Sequence, residues 1–133
     1  MRFIIALHYQ VLTSLKEQHL LKKMHLSSVM RVLNCELGNP NLTVEMLADK
    51  VGLSRVHLNR KLKELTNQTA REFIRNVRLR QAADLLSQGN IPVNRVADMV
   101  GFSSAAHFAT SFQAFYGVSP KKYCSEENKD VEE

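Results

Sequence analysis

Between Thr69 and Ser87 the apolar residues change sides halfway along one otherwise uninterrupted helical stretch, TAREFIRNVRLRQAADLLS. Stepping about 100° per residue, Phe73, Ile74 and Val77 cluster on one side of its first half. Leu79, Ala82, Ala83 and Leu86 cluster on roughly the opposite side of its second half. A helix serving one core keeps one stripe. One that swaps sides predicts a strut between two small cores. Thr69 followed three residues later by Glu72 makes a capping box at its start, and Gly89 supplies a stop.

The same reading extends to the flanks. Residues 1–37 look helical with weak punctuation, and Val29, Met30, Val32 and Leu33 form a compact apolar face for the first core. Residues 1–26, with Leu12, Leu15, Leu20, Leu21 and Met24, form an extension that is helical or partly disordered. ELGNPN, residues 36–41, reads as a loop. Thr43 is a good N-cap with Glu45 in the first turn, and Val44, Leu47, Ala48 and Val51 share one face. Gly52 and Leu53 follow, then Ser54 as the N-cap of a second helix, RVHLNRKLKEL, whose buried stripe is Leu58, Leu62 and Leu65. Two helices joined by a tight glycine-containing turn are helix-turn-helix grammar. Ala48 is small where the helices cross, and Gly52 supplies the left-handed residue that ends the first of them.

This unit occurs twice. Leu47-Ala48-Asp49-Lys50-Val51-Gly52-Leu53-Ser54 matches Val96-Ala97-Asp98-Met99-Val100-Gly101-Phe102-Ser103 at an offset of 49. After one inserted residue, His57-Leu58 matches His107-Phe108 at an offset of 50; Leu62 then matches Phe112, and Leu65 matches Phe115. Thr69 matches Ser119, which precedes Pro120 at an N1 position and opens a short last helix, and Phe73 matches Tyr123. The chain is therefore expected to be all-α, with two helix-turn-helix subdomains at 27–68 and 89–124 joined by a linker helix at 69–88. The tail 125–133, acidic and without apolar periodicity, reads as frayed or disordered.

Charge adds a direction. The net charge is +5, and residues 54–80 carry eight Lys/Arg (Arg55, Arg60, Lys61, Lys63, Arg71, Arg75, Arg78 and Arg80) against Glu64 and Glu72. Such a block suits a polyanion partner, and equally an ordinary solvated helix surface. No stretch is apolar for long enough to span a membrane, and the opening segment lacks the cleavage site of a signal peptide. Cys35 and Cys124 stand far apart without metal-type spacing, which predicts reduced thiols inside the cell. The histidines are wrongly spaced for zinc. No cofactor is implied, and neither cysteine has a His or acid at a motif-like spacing, which disfavours an enzyme.

The second unit, VADMVGFSSAAHFATSFQAFYGVSPKKY, resembles the DNA-binding domain of AraC/XylS-type transcription regulators. The resemblance covers about residues 27–124, and its most specific run goes from Ala97 through Gly101-Phe102, Phe108, Phe112, Phe115, Gly117 and Pro120 to Tyr123. KLKELTNQTAREFIRNVRLRQAADLL further resembles the output domains of hybrid two-component regulators. The resemblance implies a cytoplasmic bacterial regulator with double-stranded DNA as partner and RNA polymerase as a further candidate. Its upstream sensing or receiver domain lies outside this chain. It also implies base contacts from Val56, Asn59 and Arg60 in the first unit, and from Ala106 and Thr110 in the second. Arg pairs with guanine, Asn with adenine, and Val packs on a thymine methyl. Ser54, Arg55, Lys63, Arg71, Ser103, Ser104, Gln113, Lys121 and Lys122 would face the backbone or groove. His57, beside the buried Leu58, fits a spacer, a phosphate contact or a base reader. The second unit's outward face of Ala105, Ala106, Ala109, Thr110 and Gln113 lacks the family's usual polar or basic residue at Thr110, which points to methyl contacts and shape readout. A helical protein-interaction module is the alternative that salt-sensitive DNA binding would exclude.

Overall fold

The structure is a computed structural model that describes residues 20–131, with side chains for 26–127. The expectations placed on residues 1–19 lie outside the described residues. Among those described, every regular element is a helix: α1 (Leu20–Glu36), α2 (Val44–Lys50), α3 (Arg55–Thr66), α4 (Ala70–Ser87), α5 (Val93–Met99), α6 (Ala105–Tyr116) and α7 (Pro120–Val131). The chain divides into two units. The first holds the residues up to Leu37 together with Asn41–Val77, and the second holds Gly38–Pro40 with the chain from Arg78 onward.

The first core is built mainly of leucine. Leu47 and Ala48 of α2 and Leu58 and Leu62 of α3 are buried against Val29, Met30 and Leu33 of α1, with Phe73, Ile74 and Val77 of α4 completing the cluster. Leu26 and Leu37, which the sequence pattern did not single out, are buried as well. α1 thus runs through residue 26 without a break. The second core is aromatic. Val96 and Ala97 of α5 pack with Phe102, Phe108 and Phe112, and α4 contributes Leu79, Ala82, Ala83 and Leu86. The rings of Phe102 and Phe108 meet edge to face at 5.3 Å, and Phe112 sits between Tyr116 at 4.6 Å and Tyr123 at 5.4 Å. α4 therefore serves both cores, with its change of sides falling between Val77 and Leu79.

Local chemistry sets the ends. The Thr69 hydroxyl accepts from Glu72 N while the Glu72 carboxylate accepts from Thr69 N, both at 3.1 Å, which closes the expected box. Thr69→Ala should lower stability by about 1 kcal/mol, read as a lower urea midpoint with unchanged slope. Thr43 and Ser54 cap α2 and α3 through Met46 N and His57 N. Gly52 and Gly101 take φ of 75° and 87°, where a β-carbon would be strained.

Three expectations change. Ser104, not Ser103, caps α6, accepting from His107 N at 3.2 Å. The equivalent bonds Leu53 N to Ala48 O and Phe102 N to Ala97 O keep the two turns in step up to that point. The inserted residue is therefore Ser103, and Ser54 corresponds to Ser104. Phe115 does not join a buried stripe; it is 36% exposed, with the Arg80 guanidinium 5.6 Å from its ring centre, and its counterpart Leu65 is only half-buried. Finally, α7 is not short. It continues through the acidic segment to Val131. Once Tyr123 is packed and the Ser119 hydroxyl caps Lys122 N, each further residue extends an existing helix at little cost.

Candidate nucleic-acid interface

α3 presents its candidate side chains because Leu58 and Leu62 pin the opposite side in the core. Val56 is 77% exposed, and Arg60 and Lys63 are exposed beside it. Arg55, in the first turn, is exposed and ion-paired at 2.8 Å to Glu45 of α2. That contact holds its guanidinium near the start of α3. Lys63 reaches back to the Asn67 carbonyl at 3.4 Å, at the helix end where a cation complements the dipole. Ser54 is exposed, with its oxygen engaged by His57 N; His57 itself is half-buried.

Asn59 does not lie wholly outward as its spacing suggests, because its oxygen end is turned to the protein. It is half-buried, and its Oδ1 accepts the Ala70 N–H at 2.8 Å. Ala70 opens α4, and its amide is one of the first-turn donors that a helix cannot satisfy internally. The side chain of one helix thereby caps the next. Helical periodicity places Asn59 next to Val56 and Lys63, but it carries no information about a donor eleven residues downstream.

In the second unit, Phe108 and Phe112 hold the inner side of α6. Ala105, Ala106, Thr110 and Gln113 are exposed and Ala109 is half-buried, as are Ser103 and Ser104 exposed at the helix start. Arg71, in the first turn of α4, and Lys121 and Lys122, in the first turn of α7, are exposed beside helix N-termini whose amides favour anions. The residues proposed for the first unit thus gather on α3 and the start of α4. Those of the second gather on α6 and the start of α7.

Arg78 leaves the basic block. It is 7% exposed, and its guanidinium donates to the carbonyls of Val100, Gly101 and Asn39. Burial pulls its pKa down from the usual arginine value. The three carbonyls lie at the end of α5 and in the loop before α2, so one cation fastens two irregular segments of the second unit. The sequence did hold a signal for this. On a helical projection Arg78 falls between the stripe of Ile74 and Val77 and the stripe of Leu79 and Ala82, where exposure is least available.

Burial pushes the Tyr116 phenol up to about 12, with Tyr123 adding to the shift and Arg80 opposing it. Tyr123 is raised too, by burial first and then by Glu127 and Asp84. Both phenols are therefore harder to ionise folded than unfolded. Their contribution is complete below about pH 10, the unfolded value, and is lost as the pH rises through the folded value. Stability measured by urea should fall by roughly 2 kcal/mol between about pH 10 and 12. Absorbance near the tyrosinate band should show ionisation delayed until unfolding.

No group of three or more His, Cys, Asp or Glu among the described residues could hold a metal, and no described helix is long and apolar enough to cross a membrane. Cys35 is exposed and Cys124 half-buried, and neither is in a disulfide.

Residues 47–126 match a family described as a helix-turn-helix domain. The chain is 33% identical over 112 residues, 84% of its length, to histidine kinase P4 of Formosa agariphila, of which it spans 8%. It is similar to the DNA-binding domain of the global transcriptional factor AdpA, crystallised with a target DNA, at 26% identity and a TM-score of 0.72 over 78% of this chain and 93% of that one. A transcriptional regulator of Chromobacterium violaceum, described as AraC-type, shares the fold at 22% identity, with a TM-score of 0.73 over 79% of this chain and 93% of that one. The chain spans less than half the length of the first curated relatives it matches.

Proposed function

Since the chain belongs to the AraC/XylS-type family of helix-turn-helix transcription regulators, we propose that it binds double-stranded DNA through the exposed faces of α3 and α6, each set into the major groove. The observation that carries this is the outer face of α3. Val56, an apolar side chain at 77% exposure, stands beside exposed Arg60 and Lys63 while the opposite side of the same helix is fully buried. A solvated helix gains nothing from a bare valine there. A thymine methyl gives it a partner, Arg60 can pair with guanine, and Lys63 and Arg71 can meet phosphates. The similarity to a DNA-bound domain supports the reading, and the similarity to a histidine kinase supports a place at the output end of a two-component system.

α6 offers only methyl groups, Thr110 and Gln113 to a base edge. Its share of recognition is therefore read as shape and methyl contact. The test is selection of bound duplexes from a random pool, followed by affinity measurement on the selected site. Arg60→Ala should cost about 1–3 kcal/mol and relax preference at one base pair, while Thr110→Ala should change affinity little. A domain that enriches no sequence, or an Arg60→Ala variant indistinguishable from the parent, would overturn the assignment.

A further inference from the structure

The bond between Asn59 and Ala70 fixes more than the angle of a helix. A carboxamide has an accepting end and a donating end, which resemble each other in shape and differ only in hydrogen-bonding sense. Ala70 N–H can meet only an acceptor, so the oxygen of Asn59 must be the end that faces it, at 2.8 Å. Ala70 is fully buried, which turns that oxygen toward the protein. The amino end makes no hydrogen bond among the described residues and is not one of the buried unpaired atoms, so it reaches solvent. By helical spacing Asn59 shares its side of α3 with Val56 and Arg60.

From this geometry we infer that Asn59 is a specificity residue of fixed polarity, presenting a donor and no acceptor to the DNA. The inference rests on the DNA-binding reading above. The familiar pairing of asparagine with adenine needs both ends of the amide in the groove, the oxygen accepting from N6 and the nitrogen donating to N7. Here the oxygen is held by α4. What remains is a single N–H donor, which suits guanine N7 or O6, adenine N7 and thymine O4. It has no answer to cytosine, whose groove edge offers only an amino donor. The same bond makes Asn59 a positioning residue, because releasing it would orphan the first amide of α4 and loosen the seat of α3.

Asn59→Asp separates the two roles. One carboxylate oxygen still accepts from Ala70 N–H, at a helix N-terminus that favours negative charge. The other oxygen stands where the amino group stood, so the outward group changes from donor to acceptor. Asn59→Ala removes both. Parent, Asn59→Asp and Asn59→Ala are to be unfolded in urea and used to select duplexes from the same random pool. The expected result is a midpoint lowered in Asn59→Ala and retained in Asn59→Asp. The parent should disfavour cytosine at one position of the contacted strand, Asn59→Ala should relax that bias about fivefold, and Asn59→Asp should reverse it toward cytosine, with lower overall affinity. A parental preference for cytosine at the position that responds to Asn59, or a selected site unchanged by Asn59→Ala, overturns the fixed polarity. Equal loss of stability in both variants overturns the brace. A parent that enriches no duplex overturns the functional reading and the outward role together, while the unfolding comparison still decides the brace.

Discussion

Arg78→Met should destabilise the second unit by about 3 kcal/mol, far more than a neutral change on a helix surface. Methionine keeps most of the volume, so the loss isolates hydrogen bonding from packing. The guanidinium now satisfies the carbonyls of Val100, Gly101 and Asn39, and Val100 and Gly101 are themselves buried. A buried acceptor left without a donor costs roughly 1–3 kcal/mol, and removing a desolvated cation returns part of that sum. Arg78→Lys should recover only a fraction, because a single ammonium cannot span three carbonyls in the fixed fork of a guanidinium. The chain has no Trp, and of its three tyrosines Tyr116 and Tyr123 lie in the second unit, so tyrosine emission during urea unfolding, measured in a Tyr9→Phe background, reports on the right place. An Arg78→Met variant as stable as the parent would show that solvent satisfies those carbonyls and that the clamp contributes nothing.

Affinity for a selected duplex should fall about five-hundredfold between 50 and 200 mM monovalent salt. The exposed cations placed for phosphate contact are Arg55, Lys63, Arg71, Lys121 and Lys122. If these neutralise about five phosphates, the slope of log K against log salt is roughly −4.5. Arg78 is left out of that tally because it is buried, and Arg78→Lys, provided it folds, should leave the slope unchanged. Arg71→Ala or Lys122→Ala should make the slope shallower by about 1 and weaken all sequences alike. A slope near zero would remove the electrostatic basis of the proposal and favour a protein partner for the same surface.

The two helix-turn-helix units and the strut were legible because their signals are local or periodic. Thr69 and Glu72 are three residues apart, Gly52 and Gly101 each end a helix, and the doubled pattern LADKVGL and VADMVGF needs no structure to be seen. What escaped was set by contacts distant in sequence. The place of Arg78 between the two apolar stripes hints that it is buried, but its partners, the carbonyls of Val100 and Gly101, lie more than twenty residues on and leave no local trace. Asn59 looks like a free amide until Ala70 is placed against it. Phe115 carries a residue type that belongs in the core but sits at the rim, because Phe112, Tyr116 and Tyr123 already fill the space. Composition misled at the tail, where a run of charged residues was read as disorder although Glu and Lys are good helix formers on a helix already started.

The two copies of the repeat keep their helix lengths to the residue. α2 and α5 each have 7 residues, and α3 and α6 each have 12. The single difference in length between them, Ser103, falls in the turn. An extra residue inside α6 would rotate everything beyond it by about 100° and carry Phe108 and Phe112 out of register with the core. In the turn it is absorbed before Ser104 restarts the helix. The repeat thus marks where this fold takes up a change of length. Both copies keep their helices whole, and the one added residue sits where the chain is free to absorb it, between Gly101 and Ser104.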